Sequence, residues 1–188
     1  EKIKPGAVVY SSDYLNRYSL FASGSINSNL ERDLYLQFQF RNKLPLLYGL
    51  GLTPELTLEI FNISREADVD ISFGADSTNG QVIFDNITKT DVTYDLFEVD
   101  FALKHKIFAA GNDIEFRFIF SRYIAKLGSF ILPETNILYP TSKDEYFIGR
   151  NLQVTLNHEA YLPDRDRDIN PIGRKITLQY NYEFNKYN

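Results

Sequence analysis

Apolar and polar residues alternate with a period of two through most of this chain. In Asp113 to Tyr123, "DIEFRFIFSRY", Ile114, Phe116, Phe118 and Phe120 share one side of an extended strand, opposite Glu115, Arg117, Ile119 and Ser121. The same rhythm sets Leu34, Leu36, Phe38 and Phe40 against Tyr35, Gln37, Gln39 and Arg41. It sets Phe97, Val99, Phe101 and Leu103 against Glu98, Asp100 and Lys104, and Leu152, Val154 and Leu156 against Gln153, Thr155 and Asn157. At the end, Ile176, Leu178, Tyr180, Tyr182 and Phe184 oppose Lys175, Thr177, Gln179, Asn181 and Glu183. Near the start, Tyr18, Leu20, Ala22 and Ile26 alternate with serines. A further segment places Leu46, Tyr48, Leu50 and Leu52 on one parity, resumed after Pro54 by Leu56, Leu58 and Ile60. A helical period persists nowhere, so the pattern predicts an all-β chain.

Turn-forming clusters separate the runs: "NSNLERD", "GADSTNG", "AAGND" and "LPDRDRDINPIG". "AAGND" reads as a short hairpin turn joining the Phe101 and Phe116 strands. Two long connections are expected, roughly 62–91 and 124–145, each with room for a further short strand, for instance Val82 to Ile87. With no composition shift along it, the chain reads as one domain, 1–188, folded as an antiparallel meander.

The same alternation serves two architectures. A soluble sandwich buries the apolar face and wets the polar one; a membrane barrel turns the apolar face to lipid and the polar face to its lumen. Three details favour the membrane. Several runs reach the roughly 9–11 residues that a tilted spanning strand needs. Tyr14, Tyr18, Tyr94, Tyr123, Tyr146 and Tyr187 sit at strand ends, where an interfacial girdle wants amphipathic rings. The polar faces mix both signs of charge with Gln, Asn and Thr. Against the membrane stand the absence of Trp and the non-aromatic final residue of "KYN".

Composition narrows function mainly by exclusion. Of 188 residues none is Cys, which removes disulfides, thiolate metal sites and catalytic thiols. A net charge of -5 argues against a nucleic-acid partner. No apolar run approaches the roughly 20 residues of a spanning helix. The sequence opens on Glu1, which suits a processed or excised piece of a longer protein.

The segments "YSLFASGSINSNLERDLYLQFQF", "LPLLYGLGLTPELTLEIFN", "YDLFEVDFALKHKIFAAGNDIEFRFIFSRY" and "YFIGRNLQVTLNHEAYLPDRDRDINPIGRKITLQYNYEF" carry a resemblance. In order and strand character they resemble the C-terminal barrel region that follows a TolB-like β-propeller in some bacterial proteins. That region is itself similar to the bacterial surface-antigen barrels of outer-membrane assembly factors. The likeness implies a barrel of about eight strands or part of a larger one, in the bacterial outer membrane. It also implies lipid as a partner, with envelope proteins or a propeller domain beside it. The propeller is absent from this sequence, and its strands are fewer than such a barrel uses.

Chemistry-bearing motifs are few. Asp164, Asp166 and Asp168 have the spacing of the first ligands of a calcium loop, but Ile169 and Lys175 occupy the positions that need Gly and an acid. They read as a charge-compensated hairpin tip. His105 and His158 end alternating runs; a hydrolytic site would require a serine beside one of them. No metal or cofactor is expected. "NIS" at Asn62 and "NIT" at Asn86 match a glycosylation acceptor, an accidental match in a bacterial protein. If the polar face lines a lumen, Glu98, Asp100, Lys104, Glu115, Arg117, Lys175 and Glu183 line it, pairing across strands.

Three functions remain. The first is a non-catalytic outer-membrane barrel that anchors or assembles envelope components. The second is a soluble, periplasmic or secreted, β-sandwich or lipocalin-like module holding a sugar or apolar ligand in a concave aromatic site. The third is a membrane-barrel enzyme built on one histidine.

Overall fold

The structure is a computed structural model that describes residues 3–73, 76–78, 81–83, 86–107, 111–132, 136–161 and 173–187. The strands are β1 (Gly6–Ser12), β2 (Tyr18–Ile26), β3 (Arg32–Phe40), β4 (Glu55–Phe73), β5 (Asp76–Thr78), β6 (Gln81–Ile83) and β7 (Asn86–Lys106). They continue with β8 (Asn112–Leu127), β9 (Phe130–Ile131), β10 (Leu138–Tyr139), β11 (Ser142–Tyr161), β12 (Gly173–Glu183) and β13 (Lys186–Tyr187). A four-residue helical turn, α1 (Pro45–Tyr48), lies between β3 and β4. The chain is all-β, and its large sheet is an antiparallel meander in the order β1-β2-β3-β4-β7-β8-β11-β12, with β13 beside β11. β5 pairs with β6, and β9 with β10, in two small ribbons. Among the described residues β1 and β12 are the two ends of the path and do not pair with each other.

Cross-strand register turns the sequence alternation into continuous rows. One row joins Leu20, Phe38, Leu58, Phe101, Phe118, Leu152 and Tyr182, one residue from each strand from β2 to β12. A neighbouring row joins Tyr18, Phe40, Leu56, Leu103, Phe116, Val154 and Tyr180. These rows form an apolar belt on one face of the sheet. On β3 the belt runs from Leu34 to Phe40, about 20 Å along the strand.

Nothing described covers the belt. Phe116 is 52% exposed, and Phe101 and Phe118 are each 38% exposed. Only Val92, Ala102 and Phe130 are buried apolar residues among those described, and no large side chain is fully buried. The total accessible surface is 13623 Å²; a folded monomer of 21.8 kDa ordinarily exposes roughly 9,300 Å². Among the described residues the sheet is a single layer with no hydrophobic core of its own.

Four sequence expectations are corrected by this fold. The expected strand through Leu46, Tyr48, Leu50 and Leu52 is instead α1 and a following turn. Tyr48 N donates to Leu44 O at 2.8 Å and Leu52 N to Leu47 O at 2.9 Å, while Gly51 takes φ +76°. Pro45, with its fixed φ, suits the first turn of a helix, and Pro54 delays strand onset to Glu55.

The expected long connection 62–91 is mostly sheet, because β4 continues to Phe73 and β7 begins at Asn86, paired throughout. Likewise β8 runs to Leu127 and β11 starts at Ser142, inside the connection expected at 124–145. Third, β1 was not anticipated: "GAVVYSS" is apolar on both parities and shows no alternation.

Fourth, Tyr94 and Tyr123 do not belong to an outward girdle. Tyr94 is level with Arg65 and Ala125, and Tyr123 with Leu96 and Phe147, which places both on the face opposite the belt. Tyr123 packs edge-on against Phe147 at 5.4 Å.

Candidate functional site

The polar face is built around Arg117. Its Nη1 lies 3.1 Å from Glu59 Oε2 and 3.4 Å from Asp100 Oδ2, and its Nε lies 3.1 Å from Glu115 Oε1. Glu59 Oε1 in turn accepts from Tyr35 Oη at 2.9 Å and Gln37 Nε2 at 2.7 Å. The network therefore crosses β3, β4, β7 and β8. It can cross because Arg117 stands opposite Ala102, whose methyl leaves room for a guanidinium to pass over β7. Ala102 is 4% exposed and Asp100 7%. Three carboxylates share one guanidinium, so two negative charges are in excess when all are ionised. Asp100 Oδ1 is buried without a hydrogen-bond partner among the described residues.

Register places all seven expected lumen residues on this one face. Lys104 lies opposite Glu115, Glu98 opposite Ser121, and Glu183 opposite Asn151; Lys175 lies opposite Glu159. Glu98, Asp100, Glu115 and Arg117 gather at its centre. Lys104 pairs with Asp113 at 3.5 Å and Lys175 with Glu159 at 2.7 Å, both towards the β7–β8 turn end, and Glu183 accepts from Asn185 at 3.0 Å. Sequence reasoning missed Glu59, Tyr35 and Gln37. All three stand on the polar parity of runs whose alternation was plain, and that parity is the signal that could have found them.

The alternation reverses where the sheet continues past the belt. Along β4 the apolar parity passes from Leu56, Leu58 and Ile60 to Ile63, Ala67, Val69 and Ile71. The belt face there carries ions: Lys126 Nζ lies 2.5 Å and Arg32 Nη2 3.6 Å from Asp95, and Arg122 pairs with Glu145. Asn29 Nδ2 donates to Glu66 at 2.8 Å. Burial alone would raise the Asp95 carboxyl. Hydrogen bonds from Lys126 and Ser64, with the charges of Lys126 and Arg32, outweigh it and hold the group below the usual aspartate range.

The remaining candidates occupy other places. His158 Nδ1 is 2.6 Å from Asn112 Oδ1, and its Nε2 accepts from Arg174 Nε at 3.1 Å, so both ring nitrogens are engaged away from any serine. His105 lies opposite Ile114 on the belt face, with Nδ1 buried and without a hydrogen-bond partner among the described residues. Asn62 lies within β4 and accepts from Arg32 Nε at 2.6 Å, not on a loop as an acceptor would be. Asn86 begins β7. Asp164, Asp166 and Asp168 fall outside the described residues. Among those described, no group of three or more His, Cys, Asp or Glu is placed to hold a metal ion. A hollow of about 740 Å³ lies beside Asp68, Asp70, Lys89 and Thr141, without aromatic lining.

No family model matches this chain, and no curated protein or solved structure matches it.

Proposed function

We propose that this chain is a membrane-spanning β-sheet domain of the bacterial outer membrane, non-catalytic, that anchors or helps assemble envelope components. The observation that carries the reading is the belt, seven strands wide in each of two adjacent rows, on a sheet face that nothing described covers. A Leu or Phe side chain gains about 1.5–3 kcal/mol on leaving water, so a belt of this size left in water is strongly unfavourable. Lipid removes that cost without a second layer of protein.

The reversal of parity supports the same reading. Across the belt the apolar residues share one face of the sheet and the charges the other. Beyond the Asn62–Phe97–Arg122 row the belt face turns ionic, as a sheet leaving an apolar medium for water requires. The soluble sandwich needs a second layer over the belt, and the described residues supply none. The resemblance to propeller-linked and surface-antigen barrels rests on segment order and spacing; it favours envelope proteins as partners.

The test is expression of residues 1–188 and comparison in buffer, in detergent micelles and with vesicles. The expected result is a β-rich circular dichroism spectrum and heat-modifiable gel mobility only with detergent or lipid, and co-flotation with vesicles. A monomer that is β-folded in plain buffer would sink the proposal.

A further inference from the structure

We infer that in the membrane β1 and β12, the unpaired ends of the path among the described residues, pair with each other, closing the eight-stranded path into a barrel with a stagger of six or eight residues at the seam. This rests on the membrane reading above, for in hydrocarbon an unpaired strand edge leaves a row of N–H and C=O groups unsatisfied. Both edges are exposed at every residue.

The belt itself carries the stagger. Taking the Leu20–Phe38–Leu58–Phe101–Phe118–Leu152–Tyr182 row as the reference, the belt on β3 reaches four residues to one side, at Leu34, and two to the other, at Phe40. On β8 it reaches only two to the first side, at Phe120, and four to the other, at Ile114. Within the strand β12 it runs from Tyr182 out to Ile176 on the second side, with Phe184, just past the strand's end, two residues to the first side. On β1, where Ser11 lies on the reference row, it lies wholly on the first side, at Val9 and Ala7. Counted within the strands, the belt's centre therefore moves from three residues on one side to three on the other, six residues over seven strand-to-strand steps.

A flat belt crosses strands at such a drift only if the strands are tilted. Nearly one residue of about 3.4 Å per strand spacing of about 4.8 Å corresponds to a tilt of about 30°. Barrel strands tilt by about 35–45°. Seven antiparallel steps leave β1 antiparallel to β12, so the two edges can form an ordinary antiparallel ladder. Bringing their belt residues level needs an offset of six to eight residues, and only even offsets keep both faces matched. An offset of six sets Val9 against Leu178; an offset of eight sets Val9 against Ile176.

The crowding of the polar face favours closure within one chain over closure between two. Asp100, Ala102 and Ser121 are buried there although the sheet is a single layer. That crowding suits the tight curvature of an eight-stranded barrel, whose interior side chains just fill. Sixteen strands from two copies would enclose a wide channel and expose those residues.

The chain has no cysteine, so an introduced pair is the only one present. The experiment oxidises Val9→Cys/Leu178→Cys and Val9→Cys/Ile176→Cys in dilute micelles, with Val9→Cys/Thr177→Cys, on opposite faces, as control. One outward pair is expected to form an intrachain link in most molecules, at least tenfold above the control, seen as a faster monomer on a non-reducing gel. A disulfide-linked dimer, or no link from either outward pair in micelles where circular dichroism shows β structure, overturns the seam alone. Absence of β structure in micelles overturns the membrane reading, and the seam with it.

Discussion

Arg117 on β8 and Glu59 on β4 form an ion pair at 3.1 Å although a whole strand, β7, lies between them. The guanidinium bridges that gap only because Ala102 lies beneath its path. The pair makes three strands one electrostatic unit on the polar face.

Removing the hub should therefore cost more than removing one of its carboxylates. Arg117→Met leaves Glu59, Asp100 and Glu115 without their shared cation, and a loss of about 3 kcal/mol is expected in denaturant unfolding from micelles. Adding Glu59→Gln and Asp100→Asn to Arg117→Met should recover most of that loss. A single Arg117→Met costing under about 0.5 kcal/mol would show that the network is a solvated surface.

Charge on the belt face should be penalised by depth. Phe118→Lys is expected to cost about 2–4 kcal/mol in lipid vesicles, and Ile124→Lys, past the reversal of parity, about 0–1 kcal/mol. Equal penalties at the two positions would remove the boundary drawn through Asn62, Phe97 and Arg122.

The Asp95 cluster outside the belt should give acid sensitivity. The carboxyl is held below its ordinary value of 3.8. Because the folded-state value is depressed, the stabilisation is fully present above the ordinary value and is lost as pH falls through the lower folded value. Amide exchange in residues 64–72 and 87–95 should accelerate below about pH 4, and Asp95→Asn should abolish that pH dependence. An unchanged profile in the variant would assign the acid response elsewhere.

Gly111 should tolerate no side chain. It takes φ +91°, and a Cβ there would stand 2.0 Å from the Glu159 carbonyl oxygen. The same turn is tied to β11 by Glu159 N donating to Gly111 O at 2.6 Å. Gly111→Ala is expected to cost about 1–3 kcal/mol, read as a lower denaturant midpoint. A midpoint within error of wild type would show that the turn relaxes freely.

The strands with strong alternation, such as Leu34 to Phe40 and Ile114 to Phe120, were legible because one medium acts along their whole length. The outer arms of β4 and β7 were not. There the apolar parity changes sides at Ile63, so the alternation breaks at the boundary and two paired strands resemble a loop. β1 hid for a different reason, since Val8, Val9 and Tyr10 leave no contrast between its faces. Of the polar-face network, Asp100, Glu115 and Arg117 were visible as charges. Glu59 and Tyr35 were not singled out, because membership depends on which residues a long side chain reaches two strands away, and that depends on register.

The meander has a consequence for how the sheet is made. Apart from the small ribbons and β13, every strand of the large sheet pairs with its neighbours along the chain. Growth can therefore proceed one hairpin at a time, each new hairpin templated on the edge left by the one before, with loop closures kept short until the end. At any stage the growing sheet presents just two unsatisfied edges. Those edges, not the belt, are where a growing copy is most open to misjoining with another, so protecting β1 while the later hairpins arrive becomes the critical step of its biogenesis.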